Sequence, residues 1–142
     1  MPYVIARHAD LDWEERPSIG GGAAMRRTAN LTAAAGLAES RARIWRLPPG
    51  ARGRRHRERD QEEVFVVLEG TLTVLLGEPP ERFDVPPRSV VSVEPGTAVQ
   101  LRNESDAELI VLAYGAPPVA GQAEYLDDVE LKPARRRPVP PS

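Results

Sequence analysis

Three residues in one short polar stretch have the types and spacing to hold a metal ion: His56, Glu58 and Glu63. On an extended chain, side chains two apart lie on the same side, so His56 and Glu58 can face a common ion. If residues 62–68 form a strand, Glu63 shares a face with Phe65 and Val67, while Glu62, Val64, Val66 and Leu68 take the other. A carboxylate on an apolar face needs a partner, because burying it unpaired costs several kcal/mol or forces protonation. The partners available are a metal, an arginine or His56. One nitrogen and two oxygen donors suit manganese, iron or zinc, and are an unusual set for a purely structural zinc site.

Other chemistries find less support. The chain has no cysteine, which excludes disulfides and thiolate sites. It has two histidines and no Gly-x-Ser-x-Gly elbow, which argues against a serine triad. Glu62 and Glu63 are adjacent on a strand, face opposite sides and cannot share one substrate as a glycosidase pair does. The Gly20-Gly21-Gly22 run lacks the Lys-Ser/Thr ending of a phosphate loop and reads as a flexible link. Asp127, Asp128 and Glu130 read as a solvated acidic segment rather than a cation site.

Nineteen basic against 21 acidic residues leave a formal charge of −2. That balance argues against nucleic acid as a partner. Every basic residue except Lys132 is an arginine. Arg52, Arg54, Arg55, Arg57 and Arg59 crowd together among Glu58, Asp60, Glu62 and Glu63, which reads as a solvated loop with internal ion pairs. An anionic ligand drawn to that loop is the functional alternative. The apolar runs Val64 to Leu68 and Leu109 to Tyr114 fall far short of the roughly 20 residues of a spanning helix, so no membrane partner is expected. The charged N-terminal stretch leaves no room for a signal-peptide core, and a cytoplasmic location is expected.

The elements that must position these residues are short strands. Runs of β-formers occupy Ala42 to Leu47, Val64 to Leu68, Leu72 to Leu76, Val90 to Val93, Ala98 to Arg102 and Leu109 to Tyr114, with one more near Met25 to Ala29. Turn signals such as Pro48-Pro49-Gly50, Glu69-Gly70 and Glu94-Pro95-Gly96 punctuate them. Regular short strands with turns between them make a sandwich or a barrel. The tail, Lys132 to Ser142, is proline- and arginine-rich and is expected to be disordered.

The spacing Gly50, five residues, His56, one residue, Glu58, four residues, Glu63, six residues, Gly70 resembles the first motif of the cupin family, with Glu58 where a second histidine belongs. The run from Glu94 to Asn103 resembles the second motif. Gly96 and Asn103 hold their places, the proline is displaced by one, Arg88 replaces an expected glycine, and Val99 stands where the last metal-binding histidine belongs. The resemblance implies an all-β fold, a single cupin-type double-stranded β-helix (jelly-roll) barrel. It would comprise residues 40–116, with 1–39 as an N-terminal strand and loop packing on it and 117–142 as a C-terminal extension.

In the family three histidines and one glutamate usually hold the metal. The resemblance therefore implies a degenerate divalent transition-metal site (Mn, Fe or Zn) at His56, Glu58 and Glu63, missing its fourth ligand at Val99. Valine cannot bind a metal. If the strand Ala42 to Leu47 turns its odd positions inward, Arg41 and Arg43 join Phe65, Val67, Val99 and Leu101 around a ligand cavity, and an arginine there could neutralise Glu63. In that case Glu58 turns to solvent or pairs with Arg57 or Arg59. His8 is a remote candidate to complete a site. The reading favoured is a stand-alone barrel that binds a small polar or anionic molecule, with a weak or empty metal site. A metal-dependent oxygenase or isomerase using His56, Glu58 and Glu63 is the alternative. A sensing domain of a regulator is disfavoured because no helix-turn-helix segment fits. A homodimer is expected through an N-terminal strand, Pro2 to Ala6, whose Tyr3, Val4 and Ile5 lie near Trp13 in the sequence.

Overall fold

The computed structural model describes residues 2–20, 24–118 and 123–130, so the disorder expected of Lys132 to Ser142 lies outside the described residues. The described residues form eleven strands: β1 (Trp13–Pro17), β2 (Met25–Asn30), β3 (Arg41–Leu47), β4 (His56–Glu58), β5 (Glu62–Glu69), β6 (Leu72–Leu76), β7 (Glu81–Val85), β8 (Val90–Val93), β9 (Val99–Arg102), β10 (Leu109–Ala116) and β11 (Ala123–Tyr125). One short helix, α1 (Leu31–Ala34), follows β2; Asn30 caps it by accepting a hydrogen bond from the Ala33 N–H.

The strands form two antiparallel sheets. One runs β1-β2-β3-β10-β5-β8 and the other β11-β4-β9-β6-β7. Their inner faces share a core that includes Leu47, Phe65, Val67, Leu72, Val74, Val99, Leu101, Leu109 and Val111. This is the expected all-β jelly roll, and the inward set Phe65, Val67, Leu72, Val74, Val99 and Leu101 is at most 9% exposed. The parity on β5 holds as well: Phe65 and Val67 are buried while Leu68 stands outside at 45% exposure. The tight turn after β5 requires glycine. Gly70 has φ +79°, and a Cβ there would overlap the backbone carbonyl of Glu108.

The N-terminal expectation needs correcting. Residues 2–7 form no strand, and Tyr3, Val4 and Ile5 are exposed. β-forming residues alone do not make a strand; β2 instead takes β1 as its partner, in the register Trp13↔Ala29 to Pro17↔Met25. β7 carries no strand pattern in its residues. Its residues are mostly polar and exposed, and only its pairing with β6 over Leu72↔Val85 to Leu76↔Glu81 defines it.

Candidate metal and anion site

His56, Glu58 and Glu63 converge, each offering a donor atom within 4.8 Å of the others. β4 carries the first two on one side and β5 carries Glu63. The His56 Nε2 lies 3.1 Å and 3.3 Å from the two oxygens of Glu63 and 3.9 Å from Glu58 Oε1. On the far side of the ring, Nδ1 sits 3.3 Å from the Arg54 carbonyl oxygen, to which it donates. That bond turns Nε2 toward the two carboxylates, the arrangement by which a metal-binding imidazole is usually oriented.

The electrostatics of the metal-free site follow from the same contacts. Burial by itself lowers the His56 pKa, but the hydrogen bond and charge of Glu63, with the Arg54 carbonyl and Glu58, outweigh it and raise the value above the ordinary 6.5. Both ring nitrogens face acceptors, so the imidazolium is the form that satisfies them. Glu58 is 4% exposed, and burial together with the charge of Glu63 raises its pKa, partly offset by His56 and Arg41. Arg41 Nη2 stands 3.8 Å from Glu58 Oε1.

Two expectations are thereby overturned. Glu58 does not turn to solvent or pair with Arg57 or Arg59; it points inward, because β4 presents it on the His56 side. Glu63 is partnered by His56, and the inward arginine, Arg41, faces Glu58 instead. His8 is not in the donor group; it packs against Trp13 with ring centroids 5.2 Å apart. His56 and Val99 are direct register partners across β4 and β9, so the valine sits at the position opposite the donors and offers only methyl groups.

The three donors open into a cavity of about 650 Å³. Arg41, Arg43, Phe65 and Leu101 line it, as the inward parity of β3 requires. Val67 and Val99 belong to the core and are not among the lining residues, which corrects the expected cavity set. They are fully covered by neighbouring apolar side chains. Several lining residues had not been foreseen. Trp45 follows from the parity that places Arg41 and Arg43, but Arg16 and Arg26 come from β1 and β2, whose register nothing in the sequence announced.

Arg26 stacks over Trp45, its guanidinium carbon 4.8 Å from the ring centroid, and donates through Nε and Nη2 to the Pro17 carbonyl. Burial and the neighbouring charge of Arg16 lower its pKa. The arginine loop is corrected too. Its ion pairs are not internal: Arg52 meets Asp128, Arg55 meets Glu78, and Arg57 meets Glu78 and Glu124. Asp127, Asp128 and Glu130 are exposed, as a solvated acidic segment should be, and the Asp128 carboxylate also meets Arg52 and Arg102.

A barrel of two antiparallel sheets with a His/Glu/Glu group facing its interior defines a class, and the comparisons with known proteins agree. The chain matches the Cupin domain family over residues 43–114, and it belongs to that family. Among solved structures it is similar to a sugar phosphate isomerase of the cupin superfamily from Silicibacter pomeroyi (23% identity, 79% of this chain and 74% of that one, TM-score 0.67). It is also similar to a predicted oxalate decarboxylase from Thermotoga maritima (18% identity, 80% and 99%, TM-score 0.69). A third likeness is to the polyketide cyclase RemF from Streptomyces resistomycificus (17% identity, 89% and 87%, TM-score 0.70). At these identities the likeness is one of fold. No curated protein matches the chain.

Proposed function

We propose that the barrel binds a small anionic molecule in its cavity, beside a three-donor metal site of low affinity. One observation carries this reading: among the described residues, five arginines, Arg16, Arg26, Arg41, Arg43 and Arg54, line a cavity to which two carboxylates, Glu58 and Glu63, contribute. Guanidinium groups recognise carboxylate and phosphate through paired hydrogen bonds, and like charges drawn together gain most from an anion between them. Trp45, Phe65 and Tyr125 add apolar and aromatic surface for the body of such a ligand.

His56, Glu58 and Glu63 are the residues that would hold a divalent transition metal, and the set fits one by donor type and by the orienting bond from His56 to Arg54. When bound, the metal supplies Lewis acidity to a ligand oxygen. One imidazole gives weaker holding than three, and a proton on His56 competes with the ion. Convergence of the three donors also supports a second reading, a metal-dependent oxygenase or isomerase, which requires the metal to be present in stoichiometric amount.

The anion reading is tested by titrating phosphate and small carboxylates against melting temperature and against the tryptophan fluorescence of a Trp13→Phe variant, in which Trp45 is the sole emitter. At least one class should bind, and Arg43→Gln should weaken it. Failure of every anion to bind, or an Arg43→Gln variant that binds as well as wild type, counts against it. The homodimer belongs to the same proposal and is supported by the exposure of Tyr3, Val4 and Ile5 at 71%, 53% and 77%. A monomer at micromolar concentration in sedimentation, unchanged on deleting residues 1–13, would contradict that part.

A further inference from the structure

The strand that carries His56 and Glu58 is short, and on its β9 side it is lightly held, with the Gly96 N–H donating to the Glu58 carbonyl just before β9 begins. β4 has three residues, and it pairs with β9 at a single position, His56↔Val99. Its other edge pairs along its whole length with β11, as Ala123↔Glu58, Glu124↔Arg57 and Tyr125↔His56. A strand this short has little hold of its own, so its placement depends on what fixes its neighbours.

What fixes β11 lies just beyond it. Asp128 is received by three side chains from two other segments. Arg52 Nη1 donates to Oδ2 at 2.7 Å, while Gln100 Nε2 and Arg102 Nη2 donate to Oδ1 at 2.7 Å and 3.4 Å. Arg102 Nη2 also donates to the Val129 carbonyl at 2.6 Å, and Arg102 Nε to Gln100 Oε1 at 3.0 Å. Gln100 and Arg102 are 0% and 4% exposed, so the receptor for the carboxylate is built into the fold rather than laid on its surface. Burial and the charge of Arg52 lower the Arg102 pKa, and the charge of Asp128 opposes that effect.

Between Asp128 and β11 the chain is fastened to the arginine loop. The Leu126 N–H donates to the Arg55 carbonyl, Arg55 Nη1 donates to the Asp127 carbonyl, and Arg57 pairs with Glu124. Tyr125 and Ala123 line the ligand cavity, and the Arg54 guanidinium lies 3.7 Å over the Tyr125 ring.

We propose that Ala123–Val129 is a strap that completes the ligand site, and that Asp128 is a positioning residue whose anchoring by Arg52, Gln100 and Arg102 holds β4, and with it His56 and Glu58, in register. The strap walls one side of the cavity through Tyr125, and its latch sits on the face of β9 opposite Val99. The role assigned to the strap at the ligand site rests on the anion and metal reading above. The coupling of latch to β4 does not.

Amide hydrogen exchange on the full chain, together with zinc titration, tests the proposal. Asp128→Ala should speed exchange at residues 55–58 and 123–126 while leaving β3, β5 and β10 at wild-type rates, and should lower zinc affinity by about tenfold or more, the scale of losing an orienting partner. Asp128→Glu should recover most of both effects. Arg52→Gln should reproduce them more weakly, and adding it to Asp128→Ala should bring little further change, because both act on one latch. Wild-type exchange at 55–58 in Asp128→Ala overturns the proposal, as does unchanged zinc affinity despite faster exchange there. If wild-type protein binds no zinc, the metal reading of the site fails, and the exchange rates at 55–58 still decide whether the strap holds β4.

Discussion

His56 on β4 and Val99 on β9 face one another as register partners, yet the stretches they belong to have kept different things. The stretch from Gly50 to Gly70 retains donors: a histidine and two glutamates gathered within bonding range of one another. The stretch from Glu94 to Asn103 retains scaffolding. Asn103 is fully buried and donates to the carbonyls of Leu47 and Ala107, while its own carbonyl accepts from the backbone and hydroxyl of Ser105. Val99 meanwhile belongs to the apolar core. Backbone organisation and metal donation thus rest on different residues in this chain, Asn103 in one stretch and His56, Glu58 and Glu63 in the other. A buried asparagine that satisfies several backbone groups is costly to replace, whereas a histidine facing an apolar core can become valine and gain packing.

If that separation is correct, restoring donors on the β9 side should have the largest effect. Val99→His combined with Glu58→His should raise affinity for manganese, iron or zinc by a large factor in calorimetric titration, with the barrel's circular-dichroism spectrum preserved. An unchanged affinity would mean that position 99 does not face the site. Next in size, Asn103→Ala should destabilise the fold by about 3 kcal/mol in denaturant unfolding, because it orphans buried carbonyls. His56→Gln, on the donor side, should cost far less. Equal costs would erase the distinction between the two stretches.

Acidity gives a smaller effect confined to the donor side. The folded-state pKa values of His56 and Glu58 both lie above their ordinary values of 6.5 and 4.5. A raised value means the folded state holds the proton more tightly. The associated stabilisation is therefore complete below the ordinary value and is lost as pH rises through the folded one. The melting temperature of metal-free protein should decline from pH 6.5 upward as His56 loses its proton, and His56→Gln should flatten that decline. Metal affinity should rise over the same window, since the proton leaves the nitrogen that binds the ion.

The smallest effect lies near the second stretch. Arg88 has φ +68°, the left-handed conformation that the glycine expected there would adopt freely. Arg88→Gly should stabilise the protein by about 0.5–1 kcal/mol, strain relief exceeding the added chain entropy. A loss of stability would show that the arginine side chain contributes more than its backbone costs.

How much of this was legible in the sequence depended on whether a residue's role is local. The alternation along β5 placed Glu63, Phe65 and Val67 on one face because strand parity is a property of consecutive residues, and the motif spacing brought His56 and Glu58 to the same region. The same logic applied to β3 placed Arg41 and Arg43 inward. What stayed hidden was set by pairing between distant segments. Neither the union of Arg16 and Arg26 in the cavity nor the capture of Asp128 by Arg52 and Arg102 leaves a periodic signal, because each depends on which strands become neighbours. For the same reason the charge pattern of the arginine loop suggests pairing within itself, whereas the carboxylate partners of Arg52, Arg55 and Arg57 come from residues 78, 124 and 128.

If His56, Glu58 and Glu63 form the partial metal site proposed for this cupin, the metal content of the purified protein shows it. Protein purified without a histidine tag should carry substoichiometric metal, lose it to a mild chelator, and show almost no change in melting temperature, because a weakly occupied site adds little binding free energy to the folded state. Stoichiometric manganese, iron or zinc that resists the chelator, with a marked fall in melting temperature once it is finally stripped, would contradict the account and identify His56, Glu58 and Glu63 as a complete metal centre.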